Sequence, residues 1–320
     1  MPFFVEDKYN KRIMQIIIRR MTLTDLIFNI FYKIRFWFYR NFRKKKLKNI
    51  SPANKPGLEL TFDDDFNKVS WSTTSDTKWL SREGWGSFHP DKTSVHYGPP
   101  ELLYGTSYAK FTVKYNPRTF PDDHRTGNPI TIPFEVSLLS TQKSFKQQYG
   151  RFECRCTIPF DPGVWPAFWM WGSTWPPEID VFELYGNKDG KSAGKQCINL
   201  HYGHDEDGTR SSTKSWDVWV QKKPKGFIDP MPQFHEFAVE WGPDKIECFT
   251  DGIKIYRFTR KSTLKHFNAE TAKQWLVVNH SIQEKFGGKL DSDYDPLKGD
   301  FQFTEDYYSE FLVDYVRAYK

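Results

Sequence analysis

Three acidic residues, Glu178, Asp180 and Glu183, lie within six consecutive positions directly after Pro176-Pro177. Two carboxyl groups about 5 Å apart can cut a glycosidic bond with retention, because one attacks the sugar while the other first donates and then accepts a proton. A third carboxylate between them can hydrogen-bond one partner and raise the pKa of its neighbour. The segment therefore predicts a retaining glycosidase site, with Asp180 in the supporting position.

A regular β-strand cannot bring these three side chains together. Side chains alternate between the two faces of a strand, so Glu178 and Asp180 share one face whereas Glu183 points to the other. One extra residue in the strand, a β-bulge, turns Glu183 to the same face as the others. We therefore predict a bulge at Val181 or Phe182. The alternative is an unbroken strand with acids that face solvent, in which case the carboxyl groups do not cooperate.

Four tryptophans precede the acids along the chain: Trp165, Trp169, Trp171 and Trp175. The C–H faces of sugar rings stack on the flat faces of aromatic side chains. Tryptophans beside carboxylates therefore indicate a saccharide-binding cleft, and the alternative is that they fill the core. We expect one of two sets, Trp165 with Trp175 or Trp169 with Trp171, to be largely structural.

The elements that must position these residues are strands. From residue 58 onward, short alternating runs are separated by Gly, Pro, Asn and Asp, which is typical of antiparallel strands. The clearest hairpin joins residues 245–249 to 253–258 through Asp251-Gly252, a pair that suits a type I′ turn. We predict an all-β protein, a two-sheet antiparallel jelly-roll sandwich in one domain over 58–320. Its further candidate strands are 109–115, 135–140, 150–158, 178–184, 197–202, 237–241, 274–280 and 311–319.

The positive charge of the chain is concentrated at its N-terminus. Residues 1–50 contain 13 Lys and Arg against three acids, whereas the remaining residues contain 33 basic and 37 acidic side chains. The net charge of +6 therefore belongs to the N-terminal segment. The body, with a balance of −4, gives no reason to expect a nucleic-acid partner.

Residues 1–48 predict a basic, amphipathic helical extension, followed by a linker over 49–57 that contains two prolines. No apolar run approaches the roughly 20 residues that span a bilayer, and no small-residue cleavage site follows a clean apolar stretch. One interpretation is a helix that lies on an anionic membrane surface. The other is a docking arm that packs on another protein. We expect an extracellular, surface or membrane-associated location.

The four cysteines, Cys154, Cys156, Cys197 and Cys248, do not have the spacing of metal ligands. Free cysteine is often a small buried residue, and we interpret these four in that way. A disulfide is not indicated, and the redox compartment stays open.

Further motifs carry a family resemblance. Residues 149–155 read YGRFECR, residues 163–169 read GVWPAFW, and residues 313–319 read VDYVRAY. With the acidic segment, residues 234–241 and Asp251-Gly252, they resemble in order the motifs of glycoside hydrolase family 16, which includes laminarinases, agarases and carrageenases. The resemblance covers about residues 58–320 and implies a concanavalin A-like sandwich. The N-terminal extension has no counterpart in the catalytic domain of that family.

The resemblance also implies roles. Glu178 would be the nucleophile, Asp180 the supporting acid and Glu183 the acid/base of an endo-acting enzyme on a β-linked polysaccharide. His201 resembles a cleft histidine on the next strand, although a lone histidine is as often structural. Residues 279–282 (NHSI) depart from the small apolar stretch ending in two glycines that many relatives have there. The predicted substrate-binding residues are the four tryptophans with Arg151, Glu153, Arg155, Asn199, His201 and Asn279.

The substrate favoured by these observations is a β-1,3-glucan, because a body with a balance of −4 offers no positive field for a sulfated polymer. Galactans, as for agarases and carrageenases, come second, and Arg151 and Arg155 would favour them if they flank the cleft. The alternatives are a transglycosylase with the same residues, a non-catalytic carbohydrate-binding protein on the same fold, and a membrane-associated scaffold.

The mechanism requires no cofactor, and no metal is assigned to the site. The sequence also allows a structural calcium ion, because hard cations take carboxylate and carbonyl oxygens as ligands. Asp314 with the acidic run at residues 63–65 would supply those oxygens.

Overall fold

Alternating apolar side chains build two sheets that pack face to face. The computed structural model describes residues 22–42, 53–74, 77–84, 86–88, 94–103, 106–121, 127–187, 189–204, 211–222, 233–282, 288–289 and 301–320. The helices are α1 (Leu23–Phe42) and α2 (Lys261–Leu264), with 3₁₀ turns at Lys191–Gly194 and Glu270–Ala272. The strands are β1 (Leu60–Asp64), β2 (Trp71–Ser72), β3 (Trp79–Leu80), β4 (Val95–Gly98), β5 (Glu101–Leu102), β6 (Ala109–Phe120), β7 (Ile130–Ser140), β8 (Gly150–Cys156), β9 (Val164–Gly172), β10 (Glu178–Leu184), β11 (Lys195–His204), β12 (Ser211–Trp219), β13 (His235–Trp241), β14 (Ile246–Thr250), β15 (Ile253–Phe258), β16 (Gln274–Ile282), β17 (Gly288–Lys289), β18 (Phe301–Gln302) and β19 (Tyr308–Tyr319).

Two sheets share β7. The first, which we call the cleft sheet, has the order β7-β16-β9-β10-β11-β12. The second, the back sheet, runs β7-β6-β19-β8-β13-β14-β15, with β1 also paired to β19. β7 passes from the back sheet into the cleft sheet, where its last residues pair with β16. The predicted two-sheet antiparallel sandwich is confirmed.

The hairpin of β14 and β15 forms as the sequence predicts. Thr250 pairs with Ile253 across the turn, and Asp251 and Gly252 have φ angles of 52° and 72°. Positive φ at both central positions matches the right-handed twist of the flanking strands. This hairpin forms the end of the back sheet.

The core lies between the sheets and is rich in phenylalanine. Phe182 on the cleft sheet and Phe237 on the back sheet have ring centroids 4.5 Å apart. Cys154, Cys156 and Cys248 are buried and free, as the sequence predicts, whereas Cys197 is only half-buried.

The helix α1 covers the side of the sandwich beside β15. The side-chain amide of Asn29 donates to the carbonyl of Arg257 at 2.8 Å and accepts from its backbone N–H at 2.6 Å. Asn29 therefore takes the place of a neighbouring strand on the exposed edge of the sheet. Asp25 accepts hydrogen bonds from the backbone N–H and the hydroxyl of Thr259 at 2.9 and 2.7 Å.

The C-terminal half of α1 reaches the cleft sheet. Arg40 donates to the carbonyl of Trp219 in β12 at 2.9 Å, and the Lys33 ammonium lies 4.5 Å from the ring centroid of Trp216. Phe36 is buried in the main core. The predicted helix thus packs on the body of its own chain, which neither sequence interpretation anticipated. The rest of the predicted extension, residues 1–21 and 43–48, lies outside the described residues, as do 49–52 of the predicted linker.

Candidate active site

The bulge that the three acids require is present in β10. On the side of β11, Asp180 pairs with Asn199, and the next paired residue, Glu183, pairs with Cys197. β10 advances three residues where β11 advances two, so β10 contains one extra residue. On the other side Asp180 pairs with Trp169 and Phe182 with Phe168, which leaves Val181 as the inserted residue. The side chains of Ile179 and Val181 are fully buried in the core. The predicted bulge at Val181 or Phe182 is confirmed, and the acids lie on the outer face of the cleft sheet.

A buried hydrogen-bond chain holds the bulge in place. The side-chain amide of Gln196 donates to the carbonyl of Val181 at 2.9 Å. The hydroxyl of Thr250, on the back sheet, donates to the amide oxygen of Gln196 at 2.6 Å. A bulge interrupts the ladder of backbone hydrogen bonds, and Gln196 provides the donor that the strand partner does not.

Glu178, Asp180 and Glu183 form a row on the outer face of the cleft sheet, which we call the acidic row. Glu178 lies at one end of this row. The indole N–H of Trp175 donates to its Oε2 at 2.5 Å. His201, directly opposite Glu178 in the register of β11, places Nε2 3.7 Å from Glu178 Oε1 and 3.2 Å from Asp180 Oδ2. His201 is thus a cleft residue that contacts two of the three acids.

Glu183 is oriented by two donors. The indole N–H of Trp165 donates to Oε1 at 2.9 Å, and the amide of Asn199 donates to Oε2. Asn199 is in turn fixed by the hydroxyl of Ser215, which donates to its amide oxygen at 2.5 Å. These contacts hold the carboxyl group in one direction, toward the outer face of the sheet.

Burial and mutual repulsion govern the protonation of the row. Burial raises the pKa of Glu178 well above its ordinary value, and the charge of Asp180 adds to the increase. Burial likewise raises the pKa of Asp180, with a further contribution from the charge of Glu183. A hydrogen bond joins Glu178 and Asp180. The row therefore keeps a proton at a pH where isolated carboxyl groups are ionised.

The tryptophans extend the same face. Trp169 and Trp171 stack with centroids 6.2 Å apart, and Trp171 lies 4.5 Å from Trp275. The indole N–H of Trp169 donates to the amide oxygen of Asn279 at 2.9 Å. Trp165, Trp169 and Trp171 alternate with the core-facing residues of β9, so all three lie on the cleft face, and the expectation that one set is largely structural stays a prediction. Trp169 and Trp171 do, however, also pack against Trp275 and other side chains on the cleft face.

Three predicted substrate residues lie elsewhere. Arg151, Glu153 and Arg155 belong to β8 in the back sheet, not to the cleft sheet. Their side chains form ion pairs there: Arg151 Nε lies 2.9 Å from Glu153 Oε2, and Arg155 contacts Asp314. The prediction that they flank the cleft is therefore wrong. The alternation of side chains along the strand correctly placed these three residues on the face opposite Phe152. It does not determine which sheet the strand joins.

A fourth acid near the site was missed. Glu83, on the segment after β3, is 1% exposed. Burial is the main cause that raises the pKa of Glu83 to about 8. Hydrogen bonds from the Gly84 N–H and from Trp171 lower this pKa, whereas the charge of Glu178 raises it further. A single acid in an irregular segment has no periodicity that would mark it. Tyr185 and Ser215, which contact Glu183 and Asn199, were also missed, because nothing in the sequence near either residue marks these contacts.

The acids expected to bind calcium have protein partners. Asp63 Oδ1 accepts from Arg317 Nε at 2.9 Å, Asp64 accepts from the indole of Trp79 at 2.8 Å, and Asp314 contacts Arg155. Calcium binding there stays a prediction. Across the described ranges, the acid and histidine ligand atoms that converge are those of the catalytic row, where Glu178, Asp180 and His201 offer atoms within 4.8 Å of one another.

Comparisons with known proteins agree with this geometry. The sequence model of Glycosyl hydrolases family 16 matches residues 108–289. The chain is similar to Endo-1,3-1,4-beta-glycanase EglC of Rhizobium meliloti (strain 1021), with 28% identity over 276 residues that cover 82% of this chain and 52% of that protein. It is also similar to Glucan endo-1,3-beta-glucosidase A1 of Niallia circulans, with 27% identity over 82% of this chain and 38% of that protein.

A solved structure shares the fold. LamAcat from Zobellia galactanivorans superposes with a TM-score of 0.57 and 20% identity, over 82% of this chain and 98% of that one. The shared fold therefore covers that chain almost throughout, whereas this chain spans about half or less of the two curated relatives.

Proposed function

Because the chain belongs to glycosyl hydrolase family 16, we propose that it is a retaining endo-β-glucanase that cuts internal bonds of a β-1,3-linked glucan. The observation that carries the proposal is the bulge at Val181, which turns Glu183 to the same face as Glu178 and Asp180. Without it the acid and the nucleophile would point to opposite sides of the sheet. An open row of acids and tryptophans on the outer face of the sheet suits cleavage within long chains.

In the first step Glu183 donates its proton to the glycosidic oxygen while Glu178 attacks the anomeric carbon. The bond from that carbon to the oxygen breaks, its electron pair stays on the leaving sugar, and a glycosyl ester forms on Glu178. Trp165 and Asn199 hold Glu183 in the direction that this transfer needs.

In the second step water attacks the anomeric carbon of the glycosyl ester. Glu183 accepts a proton from the water, and the carboxylate of Glu178 leaves. Two displacements at the same carbon retain its configuration. Both acids return to their starting protonation states.

Asp180 and His201 keep Glu178 ready for attack. A nucleophilic carboxylate must be ionised, so the proton that the row keeps has to lie on the acid, Glu183, when Glu178 attacks, while Asp180, which is 2% exposed, stays beside Glu178 as the supporting carboxylate. The contact of His201 with both carboxyl groups stabilises this arrangement when the imidazole is charged.

The choice of a neutral glucan is strengthened by the position of the arginines. Arg151 and Arg155 were the reason to consider an anionic polymer, but both are paired on the back sheet. The described part of the cleft presents tryptophans, asparagines and acids. The two relatives are named as an endo-1,3-1,4-beta-glycanase and a glucan endo-1,3-beta-glucosidase, and the second name refers to a 1,3-linked glucan. A polymer of this kind is met outside the cell, so we expect an extracellular or surface location.

The test is to incubate the full chain with laminarin, lichenan, agarose and carrageenan and to measure new reducing ends, with proton NMR of the first product for its anomeric configuration. We expect β-configured reducing ends from laminarin and their loss in Glu178→Gln. Glu305→Gln, which changes an exposed acid far along the chain, is the matched control. If no polymer is cut, or if Glu178→Gln cuts as fast as the parent, the proposal fails.

The same assay distinguishes the alternatives. A carbohydrate-binding protein would retain laminarin without releasing reducing ends. A transglycosylase would give products longer than the starting oligosaccharide. An α-configured first product would exclude the double displacement.

A further inference from the structure

The docked helix α1 has a second apolar face that points away from the domain. Its docked face is marked by the buried residues Asp25, Asn29 and Phe36. At about 100° per residue, the opposite side of the helix lies about half a turn away from them. The large apolar side chains on that side are each 47% to 65% exposed, and we call them the outward stripe: Leu23, Ile27, Ile30, Phe31, Ile34, Trp37 and Phe38.

The outward stripe is a continuous surface. Its members fall within an arc of about 120° around the helix axis, and from Leu23 to Phe38 they extend about 22 Å along it. Phe28, 38% exposed, adjoins them. Elsewhere in the described ranges, the exposed large apolar side chains are scattered singly. A contiguous apolar surface of this kind marks an interaction site.

The fold of the described residues leaves Leu23, Ile27, Ile30, Phe31 and Ile34 exposed and does not account for their apolar character. Among the described residues, α1 contacts the sandwich from its docked side through Asp25, Asn29, Lys33, Phe36 and Arg40. Phe28 and Tyr32, beside that face, lie against Arg257 and Lys254. Polar residues at the outward positions would leave these contacts unchanged and would avoid exposing apolar surface to water. The stripe therefore needs an occupant.

The charge of the surrounding sequence indicates what the occupant is. From residue 26 to residue 58 the sequence contains nine Lys and Arg and no acid. Lys33, Arg40 and Lys55 contact the domain, which leaves six basic side chains beside the stripe in the sequence. An apolar helix face within a strongly basic segment complements an anionic lipid surface, where the side chains enter the boundary between headgroups and acyl chains. A second copy of the chain would bring two such basic segments together, and their repulsion disfavours it.

We propose that the outward stripe of α1 binds the surface of an anionic lipid bilayer, with the helix axis parallel to the membrane plane. The described part of the chain has no helix that is long and apolar enough to cross a membrane. Binding in this way leaves the catalytic row accessible, because α1 contacts β12 and β15 whereas the acids lie on β10, with β11 between β10 and β12. The proposal is independent of the enzymatic activity.

The experiment is sedimentation of the full chain with two kinds of vesicle, phosphatidylcholine alone and phosphatidylcholine mixed with phosphatidylglycerol. We expect binding to the mixed vesicles that weakens at high salt. The variant Ile27→Gln/Ile34→Gln/Trp37→Gln should bind at least about tenfold more weakly, because three apolar side chains no longer leave water. Glutamine keeps the helix propensity high.

The matched control changes three exposed apolar residues outside α1, Leu60→Gln/Val69→Gln/Tyr308→Gln. It should bind vesicles as the parent does. Thermal unfolding checks that both triple variants fold, and Trp37→Gln alone serves if the first does not.

Four outcomes would overturn the proposal. The parent binds neither kind of vesicle, or the stripe variant binds as tightly as the parent. The third is a lipid-free parent that forms a dimer in solution while the stripe variant is a monomer, which would assign the stripe to a second copy. Equal binding to both kinds of vesicle would contradict the requirement for anionic lipid.

Discussion

Gln196 donates its side-chain amide to the carbonyl of Val181 at 2.9 Å, and this contact connects the catalytic strand to the opposite sheet. Thr250, on the back sheet, donates to the other end of the same amide at 2.6 Å. Gln196 and Thr250 are fully buried, so neither contact competes with water. The bulge that brings Glu183 beside Asp180 is therefore fixed from inside the core rather than from the cleft.

We expect Gln196→Leu to lower both stability and turnover. The substitution leaves the Val181 carbonyl and the Thr250 hydroxyl buried without this partner, at a cost of about 1–3 kcal/mol in the free energy of unfolding. A relaxed bulge also displaces Glu183, so kcat on laminarin should fall at least about tenfold while KM changes little. Urea unfolding and steady-state kinetics measure the two effects.

Gln147→Leu provides the control for this prediction. Gln147 is also a buried glutamine that donates to carbonyls, those of Tyr149 and Tyr319, and accepts from a threonine, Thr61. It holds the end of the back sheet instead of the bulge, so its loss should reduce stability and leave kcat unchanged. Equal effects of both variants on kcat would contradict a special role of Gln196.

Asp180→Asn should shift the pH dependence of the reaction. Burial is the first cause of the raised pKa of Glu178, and the charge of Asp180 is the second. Removing that charge lowers the pKa of Glu178, so the nucleophile ionises at a lower pH. We expect the acidic limb of the kcat/KM profile to move to lower pH, and kcat to fall at least about tenfold because the supporting carboxyl group is lost. Asp244→Asn, on an exposed turn, should leave the profile in place. An acidic limb that stays or moves upward would contradict the assignment.

The sequence predicted those parts of the site that follow from local rules. The parity of Glu178, Asp180 and Glu183 required a bulge if the acids were to cooperate, and the structure has it. Asp251-Gly252 predicted the turn between β14 and β15, where both residues have positive φ. The family resemblance extended these local patterns to the whole sandwich, and the family model confirms the family over residues 108–289.

What the sequence did not predict depends on contacts between distant segments. Strand period gives the face of a side chain but not the sheet that its strand joins, and Arg151 was therefore assigned to the cleft although it lies on the back sheet. Thr250 contacts Gln196 across 54 positions of the chain, and nothing in either segment marks the pair. The amphipathic pattern of α1 predicted a helix. The pattern does not determine the surface on which the helix packs, and so it did not predict that Asn29 contacts β15 of the same chain.

Glu83→Gln should change how stability depends on pH. The pKa of Glu83 is raised from its ordinary value of 4.5 to about 8, mainly by burial. Between these pH values the unfolded chain releases the proton while the folded chain keeps it, so the stability of the parent falls as pH rises through this window. Glutamine has no proton to release. The difference in unfolding free energy between the variant and the parent should therefore increase from pH 4.5 to pH 8, by as much as about 5 kcal/mol. Urea unfolding at a series of pH values measures it, and a constant difference would show that Glu83 is ionised in the folded protein.

Trp165→Phe should impair the acid/base step while leaving binding largely intact. Phenylalanine keeps an aromatic face for the sugar but loses the indole N–H that donates to Glu183 at 2.9 Å. A hydrogen bond to a charged group contributes about 1.5–3 kcal/mol, so we expect kcat to fall by roughly 10- to 100-fold with little change in KM. Trp219→Phe, an exposed tryptophan at the end of β12, should leave both constants unchanged. A rise in KM at constant kcat would instead make Trp165 a residue for sugar stacking, and the orientation of Glu183 would then rest on Asn199 and Tyr185.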